Sequence, residues 1–216
     1  HPMLKIERFI CNPIRENTYV VSDETNECVI VDCGAYFPEE RKAVVSYIRD
    51  NKLTPKHLIA THGHIDHNFG NNTIFDEFGL KVEAHVDEKP LMESLPEQAE
   101  QFCHIELEYE MPAVGRYLSA SDVIQFGNHT FTILETPGHS PGGVFYYCKE
   151  ENVAFSGDTL FQHSVGRTDL QGGSMFLLIQ SLRMISQLPD QTKILPGHGE
   201  ATTIGEEETS NPYLDR

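Results

Sequence analysis

The sequence predicts an α/β fold in which two β-sheets pack face to face and helices cover the outer face of each. Two observations predict it. Each half of the chain carries its own block of short apolar runs interleaved with helical patterns, so each half supplies one sheet and its cover. The runs are three to seven residues long and bounded by turn residues, which is the length of strands and too short for buried helices. With 216 residues, 39% of them hydrophobic, the chain can bury a sizeable core. It is read as a single domain over residues 1–216, with His1-Pro2 as an expression remnant before a natural start at Met3.

In chain order, residues 4–10, 17–22 and 27–31 have strand composition and are separated by the turn signals Asn12-Pro13 and Asp23 to Asn26. Pro38 opens a helix to about Asp50, with Val44, Val45 and Ile48 on one face. Residues 56–60 form a short apolar strand that runs directly into Thr61-His62-Gly63-His64. A helix is expected from near His67, then a strand over 81–85. Residues 87–121 are acidic and weakly patterned, and read as helix plus irregular cover forming a wall or lid. The second half has strands at 123–125, 130–134, 143–148 and 153–156, a helix over about 174–187, and a strand at 193–195.

Charge and cysteine content narrow the function classes. The net charge of −17 repels phosphate backbones and anionic membranes, so nucleic acid and membrane partners are not expected. No apolar run approaches the roughly 18 residues that cross a bilayer. Five cysteines, an odd number without a CxxC pair, fit reduced thiols in a cytoplasm better than a disulfide framework. Cys28 and Cys148 sit in strand-like runs as core residues, while Cys33 lies past a strand end near the expected site. The acidic surface fits a monomer or small homo-oligomer.

The chemistry concentrates in Thr61-His62-Gly63-His64-Ile65-Asp66-His67, three histidines and a carboxylate straight after a strand. Imidazole and carboxylate suit zinc, and also iron or manganese. The turn can aim His62 and His64 at one ion while Asp66 and His67 face another, and Gly63 is expected to permit the tight backbone path. Three further pieces place a candidate ligand at a strand end: Thr136-Pro137-Gly138-His139, Gly157-Asp158-Thr159 and Pro196-Gly197-His198. His57, His85, His104 and His129 read as surface or structural, and His163, five residues after Asp158, as a possible pocket residue.

The order HxHxDH, then His139, Asp158 and His198, resembles the metallo-β-lactamase superfamily across essentially the whole chain. The resemblance implies a four-layer αβ/βα sandwich with two metal ions, zinc by default, at one edge of the sheets. It assigns His62, His64 and His139 to the first ion and Asp66, His67 and His198 to the second, with Asp158 bridging. Two ions sharing a carboxylate can also share a water, whose lowered pKa makes a bridging hydroxide available at pH 7 to attack an activated carbonyl. Asp66 is then both a ligand and a proton carrier.

Within the superfamily, Asp158 where a Cys would stand argues against the β-lactamase branches, and Phe161 in place of a Tyr argues against a lactonase. Gly157 to Phe161, together with the two Pro-Gly-His segments, resembles glyoxalase II, the hydroxyacylglutathione hydrolase. Arg167 stands where that family carries a Lys that contacts the glutathione carboxylate, and is expected to bind substrate or to brace against Asp169. Only 18 residues follow His198, and Glu200 replaces a family Tyr, so the likeness is to the short glyoxalase II-like hydrolases, whose ending resembles Asn211-Pro212. A thioester such as S-lactoylglutathione is the implied substrate. The segment Gly166–Asp169 also resembles persulfide dioxygenases, in which one ferrous ion would be held by His62, His139 and Asp158.

Overall fold

The computed structural model describes residues 3–214, so the reading of His1-Pro2 as a remnant lies outside the described residues. The first sheet has six strands in the order β1 (Lys5–Cys11), β2 (Glu16–Ser22), β3 (Glu27–Val31), β4 (Thr54–Ile59), β5 (Val82–His85) and β6 (Arg116–Leu118). β1 to β3 form an antiparallel meander, and β3 to β6 are parallel. The second sheet runs β14 (Thr202–Thr203), β13 (Lys193–Pro196), β10 (Val153–Gly157), β9 (Val144–Cys148), β8 (His129–Glu135) and β7 (Val123–Phe126). Its pairings are antiparallel except β10 with β13.

Alternation along the strands builds three apolar layers. On β3, Val29 and Val31 point into the seam between the sheets, where Phe131, Tyr146 and Phe155 of the second sheet meet them. Cys28 and Ile30 point the other way, against α1 (Pro38–Asp50), α2 (Asn71–Phe78) and the helix that follows β5. On β9, Phe145 and Tyr147 face outward onto α5 (Met175–Ile185) and α6 (Ile204–Ser210). Each sheet is therefore covered on both faces, which is why β2, β9 and β10 are buried along their whole length and β9 reads as a continuous apolar run. Fully burying an aromatic such as Phe155 stabilises the sandwich by about 1.5–3 kcal/mol. The architecture is the mixed α/β sandwich expected from the sequence.

α1 has the predicted bounds and buries the predicted Val44, Val45 and Ile48. Pro38 opens it, where a missing N–H costs nothing. The Glu40 carboxylate accepts from the backbone N–H of Phe37 (3.1 Å) and of Asn12 (2.9 Å), which ties the helix start to the turn after β1. The helix expected from His67 is divided. A single 3₁₀ turn covers Ile65–His67, and α2 begins at Asn71. The cause is Asn68, whose Nδ2 donates back to the carbonyl of His64 (2.8 Å), taking the acceptor a continuing helix would have used.

Residues 87–121 hold a 3₁₀ turn (Val86–Glu88), α3 (Lys89–Met92), α4 (Leu95–Cys103) and the edge strand β6. β6 was not foreseen, because three residues carry no period and the strand exists by pairing with β5. The two-residue hairpin of β11 (Leu160–Phe161) and β12 (Ser164–Val165), β14 and α6 were likewise not foreseen.

Candidate metal centre

Every candidate ligand follows the carboxyl end of a strand, and these ends meet at one edge of the sandwich. The segment after β4 carries His62, His64, Asp66 and His67, that after β8 carries His139, that after β10 carries Asp158, and that after β13 carries His198. One potential ligand atom each from His62, His64 and His139 lies within 4.8 Å of the others, and the same holds for Asp66, His67, Asp158 and His198. Asp158 stands between the two groups. Its Oδ2 is 3.6 Å from His62 Nε2, 3.5 Å from His139 Nε2 and 3.5 Å from His198 Nε2, while its Oδ1 is 3.1 Å from His67 Nε2. All seven residues singled out in the sequence are thus brought together.

The donor set fits two divalent cations. Three buried atoms that point into the cluster, His62 Nε2, His67 Nε2 and Asp158 Oδ1, have no hydrogen-bond partner. Unpaired buried polar atoms are costly, and three aimed at one place fit a ligand that accepts lone pairs. The partners of the opposite ring nitrogens fix the tautomers. His67 Nδ1 donates to Asp32 Oδ2 (2.9 Å), and His139 Nδ1 to the carbonyl of Arg167 (2.8 Å). Thr61 Oγ1 donates to Asp32 (2.7 Å) and so accepts from His62 Nδ1 (3.0 Å). In the neutral form of each ring the Nε2 lone pair faces the cluster.

The groups differ electrostatically. Burial, reinforced by the nearby His67 cation, pushes His62 well below the usual imidazole range. Burial and His139 push His64 down to about 4, so both rings are neutral at pH 7. Burial acts the same way on His67 and His198 but is outweighed. The carboxylates of Asp158, Asp66 and Asp32 hold His67 well up, and hydrogen bonds to Asp158 and Asp66 hold His198 up at about 10. Burial would raise Asp158, yet His67, His198 and His62 hold it well below the carboxylate range. A cation entering the second group must therefore displace protons from His67 and His198, whereas His62 and His64 of the first group are already neutral.

Three residues that sequence reasoning missed hold the ligand loops. Asp32, at the end of β3, accepts from the backbone N–H and hydroxyl of Thr61 (both 2.7 Å) as well as from His67. Glu88 is fully buried and accepts from Gly63 N (3.0 Å), Ser140 Oγ (2.6 Å) and Gly142 N (3.0 Å), clipping the loop of His62 and His64 to the loop of His139. Gln98 of α4 accepts from Ile65 N and donates to the Gly63 carbonyl, both at 3.0 Å. The one available signal was a polar residue placed straight after an apolar strand, as Asp32 follows Val29-Ile30-Val31.

The expectation about Gly63 is revised. Gly63 lies outside the left-handed region, and its role is space, since a Cβ there would sit 2.8 Å from Leu91 Cβ. Cys33 is buried and its thiol is pushed up to about 12 by burial, so it is inert. All five cysteines are free. His163 is half exposed and faces Glu206 at 3.5 Å, away from the cleft. His57, His85 and His129 are paired with Glu83, Glu135 and Asp23, respectively.

A cleft of about 460 Å³ opens onto both groups, reaching His64, Asp66, His139, Asp158 and His198. α4 supplies one wall through Gln98, Phe102 and Cys103, which is the part of the 87–121 segment that acts as the expected wall. Arg167 stands at the rim, its guanidinium held in a fork by Asp169 through two contacts of 2.7 Å. Glu200 points to solvent and pairs with Arg8 at 3.4 Å. No helix among the described residues is long and apolar enough to cross a membrane.

Comparison with known proteins agrees with this arrangement. The family model for the metallo-beta-lactamase superfamily matches residues 11–198, from the end of β1 to the last candidate ligand. The hydroxyacylglutathione hydrolase GloC of Haemophilus influenzae is 34% identical over 98% of this chain and 99% of its own. Among solved structures, the BLEG-1 B3 metallo-beta-lactamase superposes with a TM-score of 0.88 at 36% identity, covering 99% of this chain and all of that one. TTHA1623 in a di-iron-bound form gives 0.84 at 34% identity, over 96% of this chain and all of that one.

Proposed function

This chain belongs to the metallo-beta-lactamase superfamily, and from that premise we infer that it is a two-metal hydrolase of activated acyl compounds, thioesters foremost. The observation that carries the reading is the position of Asp158 between a three-histidine group and an Asp/His group at the floor of an open cleft. Support for a thioester comes from the full-length similarity to GloC, whose name states hydroxyacylglutathione hydrolysis. The active unit is taken as one domain over residues 1–216.

His62, His64 and His139 would hold the first ion, Asp66, His67 and His198 the second, and Asp158 both. Bound there, two divalent cations supply a water acidic enough to ionise near neutral pH and a Lewis acid for the carbonyl oxygen. The remaining work is done by the chain. Asp32, Thr61 and the Arg167 carbonyl keep the imidazoles in the tautomer that faces the cluster. Asp66 Oδ2, 2.9 Å from His198 Nε2, is at the cleft floor and takes the proton released as the acyl group is attacked. α4 and the β11–β12 hairpin shield the reacting centre from bulk water. Zinc is the default metal for this donor set, and the di-iron form of TTHA1623 makes iron the first alternative.

The test is hydrolysis of S-lactoylglutathione by zinc-loaded protein, followed as loss of thioester absorbance, with Asp158→Ala alongside. Metal-dependent loss in the parent protein, absent in the variant, is expected. Full turnover in the variant would overturn the reading.

One observation favours a second reading. His62, His139 and Asp158 have their ligand atoms 3.5–3.6 Å apart around one carboxylate oxygen, the two-histidine, one-carboxylate set that suits ferrous iron. In that case the iron-loaded protein consumes oxygen with glutathione persulfide and does not cleave thioesters.

A further inference from the structure

Away from the candidate ligands, the cleft is apolar. Ile14 from the turn after β1, Ile65 from the 3₁₀ turn, Phe102 from α4, Phe161 from β11 and Leu170 from the loop before α5 converge on it from five separate segments. Ile14 is 44% and Phe102 is 50% exposed. Isolated exposed apolar side chains need no explanation, but several gathered around a concave site mark a surface built to be covered.

The polar groups available to a ligand there are few. The Gln98 amide is consumed by Ile65 N, the Gly63 carbonyl and the Leu91 carbonyl at 2.9–3.0 Å. Arg167 is the one Lys or Arg among the residues lining the cleft, and Asp169 takes the Nε–Nη2 edge of its guanidinium, leaving a pair with no net charge whose remaining donors are on Nη1 and Nη2. Outside the ligand cluster, a small hydroxylated acyl group meets only the remaining Arg167 N–H donors at the rim and the weak Cys103 thiol, whereas an alkyl or aryl group meets five apolar partners.

On the hydrolase reading above, we propose that the preferred substrates are thioesters with an apolar acyl chain, straight or aryl, seated against Phe102, Phe161, Leu170 and Ile14. Short hydroxyacyl groups are then poor substrates. Each methylene moved from water onto this wall raises kcat/KM by about threefold to fourfold until the wall is covered.

The test uses the full-length zinc-loaded chain and a series of glutathione thioesters carrying acetyl, butyryl, hexanoyl and lactoyl groups, repeated on N-acetylcysteamine as carrier. The expected result is a kcat/KM that climbs from acetyl to hexanoyl by about 10²-fold on both carriers, at the stated gain per methylene, with lactoyl near acetyl. Phe102→Ala and Leu170→Ala should flatten that climb. A non-hydrolysable pair, S-methylglutathione and S-hexylglutathione, separates the inference from the reaction. Calorimetry should show the hexyl compound binding more tightly, with a negative heat-capacity change. A flat series led by S-lactoylglutathione, with equal binding of the two S-alkyl compounds, overturns the acyl preference and leaves the hydrolase standing. Tighter hexyl binding without metal-dependent cleavage of any thioester overturns the hydrolase reading and, with it, the substrate proposed here.

Discussion

Replacing Glu88 tests how the two ligand loops are held. This carboxylate is fully buried, lies outside the ligand set and receives three hydrogen bonds, one each from Gly63 N, Ser140 Oγ and Gly142 N. In Glu88→Ala all three donors lose their acceptor. An unsatisfied buried donor costs about 1–3 kcal/mol, so the sum is on the order of 3–9 kcal/mol, a large share of the roughly 5–15 kcal/mol that holds a domain folded. Glu88→Gln is the more informative change. Its remaining carbonyl oxygen can still serve Gly63 and Ser140, but its amide donor must face the Gly142 N–H, for a loss of about 2 kcal/mol. The loops so joined carry His62 and His64 on one side and His139 on the other, which are the whole first group. Zinc affinity of that group should therefore fall by about 10- to 100-fold in Glu88→Gln, with the second group less affected. Urea unfolding and a chelator competition that resolves the two sites measure both effects. A variant within about 0.5 kcal/mol of the parent, with unchanged affinities at both sites, would refute the reasoning.

The other predictions concern Asp32 and His129. Asp32→Asn should weaken zinc at the second group by about 10- to 100-fold, because Asp32 accepts directly from His67 Nδ1, and should weaken the first group less, since it reaches His62 only through Thr61; unchanged affinity at the second group would contradict this. His129 is buried, with Nδ1 on Asp23 (2.7 Å) and Nε2 on Glu151 (2.8 Å), and these carboxylates hold its pKa up against burial. A raised histidine stabilises the fold fully below the unfolded value of about 6.5 and loses that contribution as pH rises through the folded value. The stability gap between parent and His129→Asn, read from urea midpoints at pH 6 to 9, should shrink with rising pH, and a gap that widens would disprove the pairing.

The parts of the fold legible in sequence were those with a local cause. Strand 27–31 and helix 38–50 came out with the predicted bounds, one because four apolar residues follow the turn signal Asp23 to Asn26, the other because Pro38 and a three-residue apolar face mark its start and side. The seven candidate ligands were legible because each sits straight after an apolar strand, and strand ends are where a sandwich of this type gathers its side chains. What could not be read depends on partners distant in the chain. Asp32 acts through Thr61, 29 residues on, and Glu88 through Ser140, 52 residues on. Backbone atoms are also silent in sequence. Arg167 was singled out for its guanidinium, yet its carbonyl, by fixing the His139 tautomer, is what reaches the cluster. β6 and β14 have three and two residues and no pattern of their own, being strands only because a neighbour offers an edge.

The central claim is that Asp158 joins two metal sites into one catalytic centre. Its most direct test is the metal content of parent and Asp158→Ala after zinc loading and dialysis, with thioester cleavage measured on the same samples. Two zinc ions per chain and turnover in the parent, against fewer than two and none in the variant, are predicted. Two ions retained with undiminished turnover in Asp158→Ala would contradict the account.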